Sequence, residues 1–457
     1  MDDAPRGPHA SAAAEHLSSS TRSYGRGAAV LSAGIGVTGL VTYLYFSLAS
    51  HALTESQYGG ITLLWSAIFV VVSVLYRPVE QLLSRTIADR DARGLTGGGP
   101  LRVAATIQLA LGVLFVIVAL LLRSKIQDDL FGGSETLYWV LITAVLAYAA
   151  SYFARGYLAG HHRFGLYGGL VLLESTSRCM FAVLAVAGVT HSQSFVALGM
   201  AAAPLVSLVV VPWAVTRRAR PAPVADHEEA RLATLRADEA ADAGGPPEQA
   251  EFSLSNGVGF AAAVLLIMLA EQTFLNAGPL LVKATADSRG TALAGFAFNA
   301  LLIARAPLQL FQAVQTSILP HLTKMSASGE TDPFRRSVNL TLTAIAAFSG
   351  AVSIGLLAVG PYAMDVLFGG DHHYGRFGLV MIGVGMGFYL AAATLNQAAL
   401  ARGRTRQTAA CWVGAALAFV VMLVIPGFDD KVLQVEIAYL AGALLLSGLL
   451  YGLYRRG

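Results

Sequence analysis

The chain has 457 residues, 55% of them hydrophobic and only 13% charged, and its mean hydropathy is +0.60. Soluble domains carry roughly 25% charged residues, so this composition excludes a water-soluble globular protein and specifies an all-α, polytopic membrane protein. The net charge of +3 comes from basic loops that would meet anionic membrane lipids, and it argues for no nucleic-acid partner.

Residues 1–27 are rich in Ala, Ser, Gly and Pro and are expected to form a disordered cytoplasmic tail. They hold no compact apolar core with a cleavage site, so no signal peptide is read and the first helix is retained. Six apolar runs follow, at 28–50, 60–84, 103–122, 137–158, 166–188 and 194–215. Each is long enough to cross a bilayer as a helix, which takes about 20 residues.

The composition then changes. Residues 216–255 contain Pro221, Pro223, Glu228, Glu229 and Gly244-Gly245-Pro246-Pro247, the marks of a polar cytoplasmic linker. Six further runs, at 257–282, 291–320, 338–360, 376–401, 408–426 and 434–454, make up the second half, 256–457. The twelve spans thus form two six-helix bundles, 28–215 and 256–457.

Positive charge tests this count. With the tail inside, the outer segments carry only Arg123, Lys125, Lys283, Arg289, Arg376 and Lys431, while the inner segments hold most of the 31 Lys and Arg. Both termini are therefore expected to be cytoplasmic, in a cytoplasmic membrane.

The halves look like repeats. Leu130-Phe131-Gly132-Gly133 follows the third run and Leu367-Phe368-Gly369-Gly370 the ninth; Leu158 to Arg163 and Leu400 to Arg404 are similar in character about 30 residues later. Six spans per half give both halves the same orientation, related by an axis along the membrane normal and enclosing a central cavity.

The charges inside the spans are the candidate substrate-binding residues. Arg77 and Glu80 lie at i, i+3 in the second run, Glu174 and Arg178 at i, i+4 in the fifth, and Glu271-Gln272 near the middle of the seventh. In the eighth, Arg305, Gln309, Gln312 and Thr316 recur at helical spacing as one polar stripe. An ionisable group at this depth costs about 2.5–3.5 kcal/mol on insertion scales, so it faces protein or water and marks a functional site. The bland alternative is structural: ion pairs among these residues and interhelical hydrogen bonds from the glutamines. Arginine forks suit anionic oxygens, and an isolated Glu271 would suit a coupling proton.

Catalytic signatures are missing. There is no phosphate-binding loop, no H-E-x-x-H and no G-x-S-x-G, so no ATP hydrolysis, metal or cofactor is expected. His161-His162 and His372-His373 lack metal-ligand spacing. Cys179 and Cys411 are expected to pack as small residues rather than form a disulfide.

Several segments carry a family resemblance: Tyr58-Gly59, Tyr76-Arg77-Pro78-Val79-Glu80-Gln81 through Ser84-Arg85, Ala304-Arg305-Ala306-Pro307, Ile318-Leu319-Pro320-His321-Leu322 and the two Leu-Phe-Gly-Gly corners. Together they resemble the polysaccharide and oligosaccharide flippases of the multidrug/oligosaccharidyl-lipid/polysaccharide exporter superfamily. The resemblance implies a monomeric alternating-access transporter that moves a lipid-linked saccharide outward, possessing no enzymatic activity and working beside glycan-assembly enzymes. On this chain it would set Arg77, Arg178 and Arg305 against the diphosphate or acidic sugars. A cation-coupled small-molecule or multidrug antiporter is the alternative with the same helix count. A membrane-embedded glycosyltransferase would need a sizeable acidic outer loop, which is missing.

Overall fold

A backbone in lipid has to satisfy its own hydrogen bonds, and the apolar runs accordingly fold as helices. The computed structural model describes residues 34, 36–92, 99–210, 212, 254–286, 289–303, 331–369 and 373–456. The tail, nearly all of the linker, Arg305, Gln309, Gln312 and the Pro307 and Pro320 segments lie outside the described residues.

The first half contains α1 (36–52), α2 (Glu55–Leu75), α3 (Arg77–Ala92), α4 (Gly99–Leu121), α5 (Glu135–Gly160), α6 (Phe164–Val186) and α7 (Gln193–Ser207). The second contains α8 (Leu254–Thr285), α9 (Gly290–Ile303), α10 (Thr331–Phe368), α11 (Arg376–Ala401), α12 (Thr405–Val424) and α13 (Lys431–Arg455). No strand occurs among the described residues. α2 and α3 form a single span, Glu55–Asp91, 37 residues long, so the second expected run, 60–84, is extended at both ends. Its start is fixed by a capping box between Thr54 and Gln57. Its break at Tyr76 comes just before Pro78, whose ring and missing N–H disturb the helical ladder. The twelve spans fall into two sets of six.

The repeat read from the corners is carried by backbone geometry. Gly132 and Gly369 both take positive φ, at +60° and +57°, and the phenylalanines before them, Phe131 and Phe368, are both buried. α5 and α11 are each 26 residues long. Both end in the same turn: Arg163 N–H bonds to the Leu158 carbonyl, and Arg404 N–H to the Ala399 carbonyl, at 2.8 and 3.0 Å. His162 and Gly403 occupy the matching left-handed position, at φ 55° and 72°. The register therefore pairs Leu158 with Ala399, one residue away from the match by character with Leu400.

Each half has an apolar core, and the first core continues across the junction at the end that carries Tyr58. There the Tyr58 hydroxyl donates to Asn299 Oδ1, Phe46 lies 4.5 Å from Phe298, and the Tyr43 hydroxyl donates to the Leu302 carbonyl at 2.6 Å. Gly59 presses against the backbone of Thr291, leaving no room for a Cβ. The halves are closed at this end. α4 and α10 lie at the periphery and expose rows of apolar residues such as Leu109, Val113, Ile117, Ile354 and Leu357. These rows suit lipid contact.

Gly59→Val should wedge this junction open. Spin labels at Ser56 and Arg289, in a background without Cys179 and Cys411, should move apart; an unchanged distance would show that the contact does not set the closure.

Candidate functional site

The charges gather where α3, α5, α6 and α8 approach one another. Arg77 opens α3 and Glu80 follows one turn later; from the other half, Glu271 of α8 reaches Arg77 at 3.7 Å. Their side chains remain 35% and 25% exposed. The pair joins one half to the other and is partly exposed. Glu80 accepts a hydrogen bond from the Tyr167 hydroxyl at 2.8 Å. α5 can come this close to α3 because Gly156 packs on the Glu80 backbone, with a virtual Cβ only 2.9 Å from its carbonyl oxygen.

Deeper in the first half is a buried network. Glu174 accepts from Arg155 at 2.6 Å, from the Tyr148 hydroxyl at 2.8 Å and from Ser151 at 3.2 Å. Arg155 also lies over the Tyr152 ring at 4.5 Å. Arg178 does not pair with Glu174, although the i, i+4 spacing would allow it. Instead it donates to the Tyr148 hydroxyl at 3.2 Å and rests on the Trp65 ring at 4.4 Å. Glu174 and Arg178 are 4% and 3% exposed. In this conformation they stiffen the bundle and do not face the space beside Arg77.

Of the remaining candidates, Gln272 is buried and accepts from Asn276 at 3.0 Å on its own helix. This matches the bland alternative of structural hydrogen bonding. Arg305, Gln309 and Gln312 lie outside the described residues. Arg155 is the residue that the sequence reading missed. It falls near the end of the fourth run and was assigned to the inner loop, whereas α5 continues to Gly160 and buries it. Its position one turn after Ser151 and two after Tyr148, all on one face, was the available signal.

The network belongs to one half only. By the α5/α11 register, Tyr148 corresponds to Tyr389 and Arg155 to Asn396; by that of α6/α12, Glu174 corresponds to Ala415 and Arg178 to Phe419. The second half fills these positions with aromatic packing. Phe274 stacks on Phe419 at 5.0 Å, and Trp412 lies 5.8 Å from Tyr389 and donates to Asn396 at 3.0 Å. Tyr389 is also within electrostatic reach of Glu271 and Arg77. Cys179 and Cys411 are both free thiols. No metal-binding group of His, Cys, Asp or Glu occurs among the described residues.

No family model matches the chain, and no curated protein matches it in sequence. Solved structures do match. A point mutant of the Vibrio cholerae MATE transporter VcmN aligns over 96% of this chain and 98% of its own at 13% identity, with a TM-score of 0.58. A MATE protein in the bent conformation aligns over 94% and 95% at 12% identity with a TM-score of 0.62, and the eukaryotic MATE transporter AtDTX14 over 96% of both chains at 14% with 0.60. The fold is that of the MATE transporters. A further match is described as a multidrug resistance MATE transporter of the MOP superfamily, the exporter superfamily named from the sequence motifs. The structural likeness thus meets that resemblance at the level of the MATE fold and not at its flippase branch.

The two classes of arginine should separate in stability measurements. Arg155→Ala leaves Glu174 buried without its cation and should cost about 3–5 kcal/mol, read as a large drop in the thermal transition in detergent. Arg77→Ala, at a half-exposed pair, should cost about 1 kcal/mol or less. Equal effects would contradict this division.

Proposed function

We propose that this chain is an alternating-access membrane exporter, a cation-coupled antiporter of small amphipathic solutes, and not an enzyme. The observation that carries the reading is the ion pair between Arg77 and Glu271, one residue from each half, in a MATE-type fold whose opposite end is closed. Rocking of one half against the other has to break this pair. Arg77 has a second carboxylate available, Glu80, on the same face of its own helix.

When Arg77 turns to Glu80, Glu271 is left facing the opened space without a counter-charge. It can then take either a proton or the cationic group of a solute, and it cannot take both. That exclusion is what antiport requires: the solute leaves with the site deprotonated, and the proton returns in its place.

A second reading keeps the lipid-linked saccharide as cargo. It is favoured by the arginines Arg77, Arg155 and Arg178, which outnumber Glu80 and Glu174 within the first half. In that reading a phosphate takes the place of Glu271 at Arg77.

Proteoliposomes distinguish the two. The antiporter should release protons against ethidium in a gradient-dependent exchange that Glu271→Gln abolishes and Glu80→Gln slows. Absence of exchange, together with translocation of a lipid-linked oligosaccharide that survives Glu271→Gln, would replace the first reading by the second.

A further inference from the structure

The outer surface of the second half carries a groove of about 560 Å³ between α10, α11 and α13. Its walls are apolar: Leu342 and Ile345 from α10, Phe388 and Leu395 from α11, Leu444 and Tyr451 from α13. Along α10 and α11 it runs from Leu342 to Ser353 and from Val384 to Leu395, or about 16 Å at the helical rise. That length accommodates most of an acyl chain.

At one end all three walls finish in arginine. Arg335 lies two turns before Leu342 on the same face of α10, Arg402 caps α11 two turns after Leu395, and Arg455 follows Tyr451 by one turn with its guanidinium 5.9 Å from that ring. Arg402 is held in place by donating to the Tyr454 carbonyl at 3.4 Å and by lying over the Tyr454 ring at 5.0 Å. Burial first, and then the like charges of Arg404 and Arg335, push its guanidinium below the ordinary value, with Tyr454 opposing. Arg335 and Arg455 form no ion pair among the described residues. A neighbouring pocket of about 810 Å³, lined by Arg404, Arg406 and Arg456, extends the same positive surface.

The repeat supplies an internal comparison. The first half has the corresponding groove, about 520 Å³ between α4 and α5. The residue matching Arg402 there is His161, and it is already paired with the Asp91 carboxylate at 3.0 Å. An apolar groove of this kind is therefore common to both halves. Among the described residues the corresponding end of the first-half groove carries Arg102, a turn before Ala105 on α4, where the second half carries Arg335, Arg402 and Arg455.

We propose that this groove is a specific site for an anionic glycerophospholipid of the leaflet at the C-terminal end, with an acyl chain between α10, α11 and α13 and the phosphate against Arg335, Arg402 and Arg455. The guanidinium forks recognise the phosphodiester oxygens, and the groove selects a molecule with a tail over a free anion. The site lies on the perimeter and does not depend on which solute passes between the halves.

The test is native mass spectrometry of the full chain released from nanodiscs of equimolar phosphatidylglycerol and phosphatidylcholine. The wild type should retain phosphatidylglycerol preferentially. Arg335→Gln with Arg455→Gln should lower that adduct by about tenfold or more. Gly448→Phe should displace lipid of either kind, because the position is exposed and nothing lies within 4 Å of a Cβ there. Glycerol phosphate, which has no tail, should not compete. An unchanged thermal transition in each variant shows that it is folded. Equal retention of the two lipids, wild-type retention by either variant, or displacement by glycerol phosphate alone would overturn the proposal.

Discussion

An arginine inside a membrane protein has to be answered by a carboxylate, an aromatic face or water, and the whole arrangement of this chain follows from how three arginines are answered. Arg155 is matched by Glu174 in a buried network. Arg178 is spread over Trp65 and Tyr45. Arg77 alone finds its partner on the opposite half, in Glu271, and stays partly exposed. The first two answers make a rigid body of one bundle, whereas the third ties that body to its neighbour by a contact that can be exchanged. Removing one partner of a buried pair costs several kcal/mol; exchanging Glu271 for Glu80 keeps a carboxylate at Arg77 and leaves Glu271 in need of another partner.

The halves are therefore alike in backbone and unlike in chemistry. Their Leu-Phe-Gly-Gly corners, the lengths of α5 and α11 and the turns that end these two helices match, down to the left-handed His162 and Gly403. Yet the positions that hold Arg155, Glu174 and Arg178 in one half hold Asn396, Ala415 and Phe419 in the other. One bundle buries a charged network where the other buries aromatic packing. At the perimeter His161 lies against Asp91 where the second half places Arg402.

Much of this was legible in the sequence because membrane helices announce themselves through long apolar runs, and α11 spans Arg376–Ala401 as expected. Arg77 and Glu80 stood out because they interrupt such a run. Glu174 was equally visible, but its partner was not: spacing along one helix pointed to Arg178, whereas the nearer cation lies on α5 across a helix interface that spacing cannot reveal. Arg155 escaped because a charge near the end of an apolar run reads as the start of a loop. The cross-half pairing of Arg77 with Glu271 was likewise beyond any local pattern, since it depends on how the two bundles dock.

The ion pair between Arg77 and Glu271 ties the halves together, and its removal is expected to let them part at the end that carries Arg85 and Gln407. The distance between spin labels at Arg85 and Gln407 in proteoliposomes, one on each half and both exposed, tests this. Glu271→Gln should shift the population to longer distances than in the wild type, and a distance that does not respond to the substitution would contradict the account.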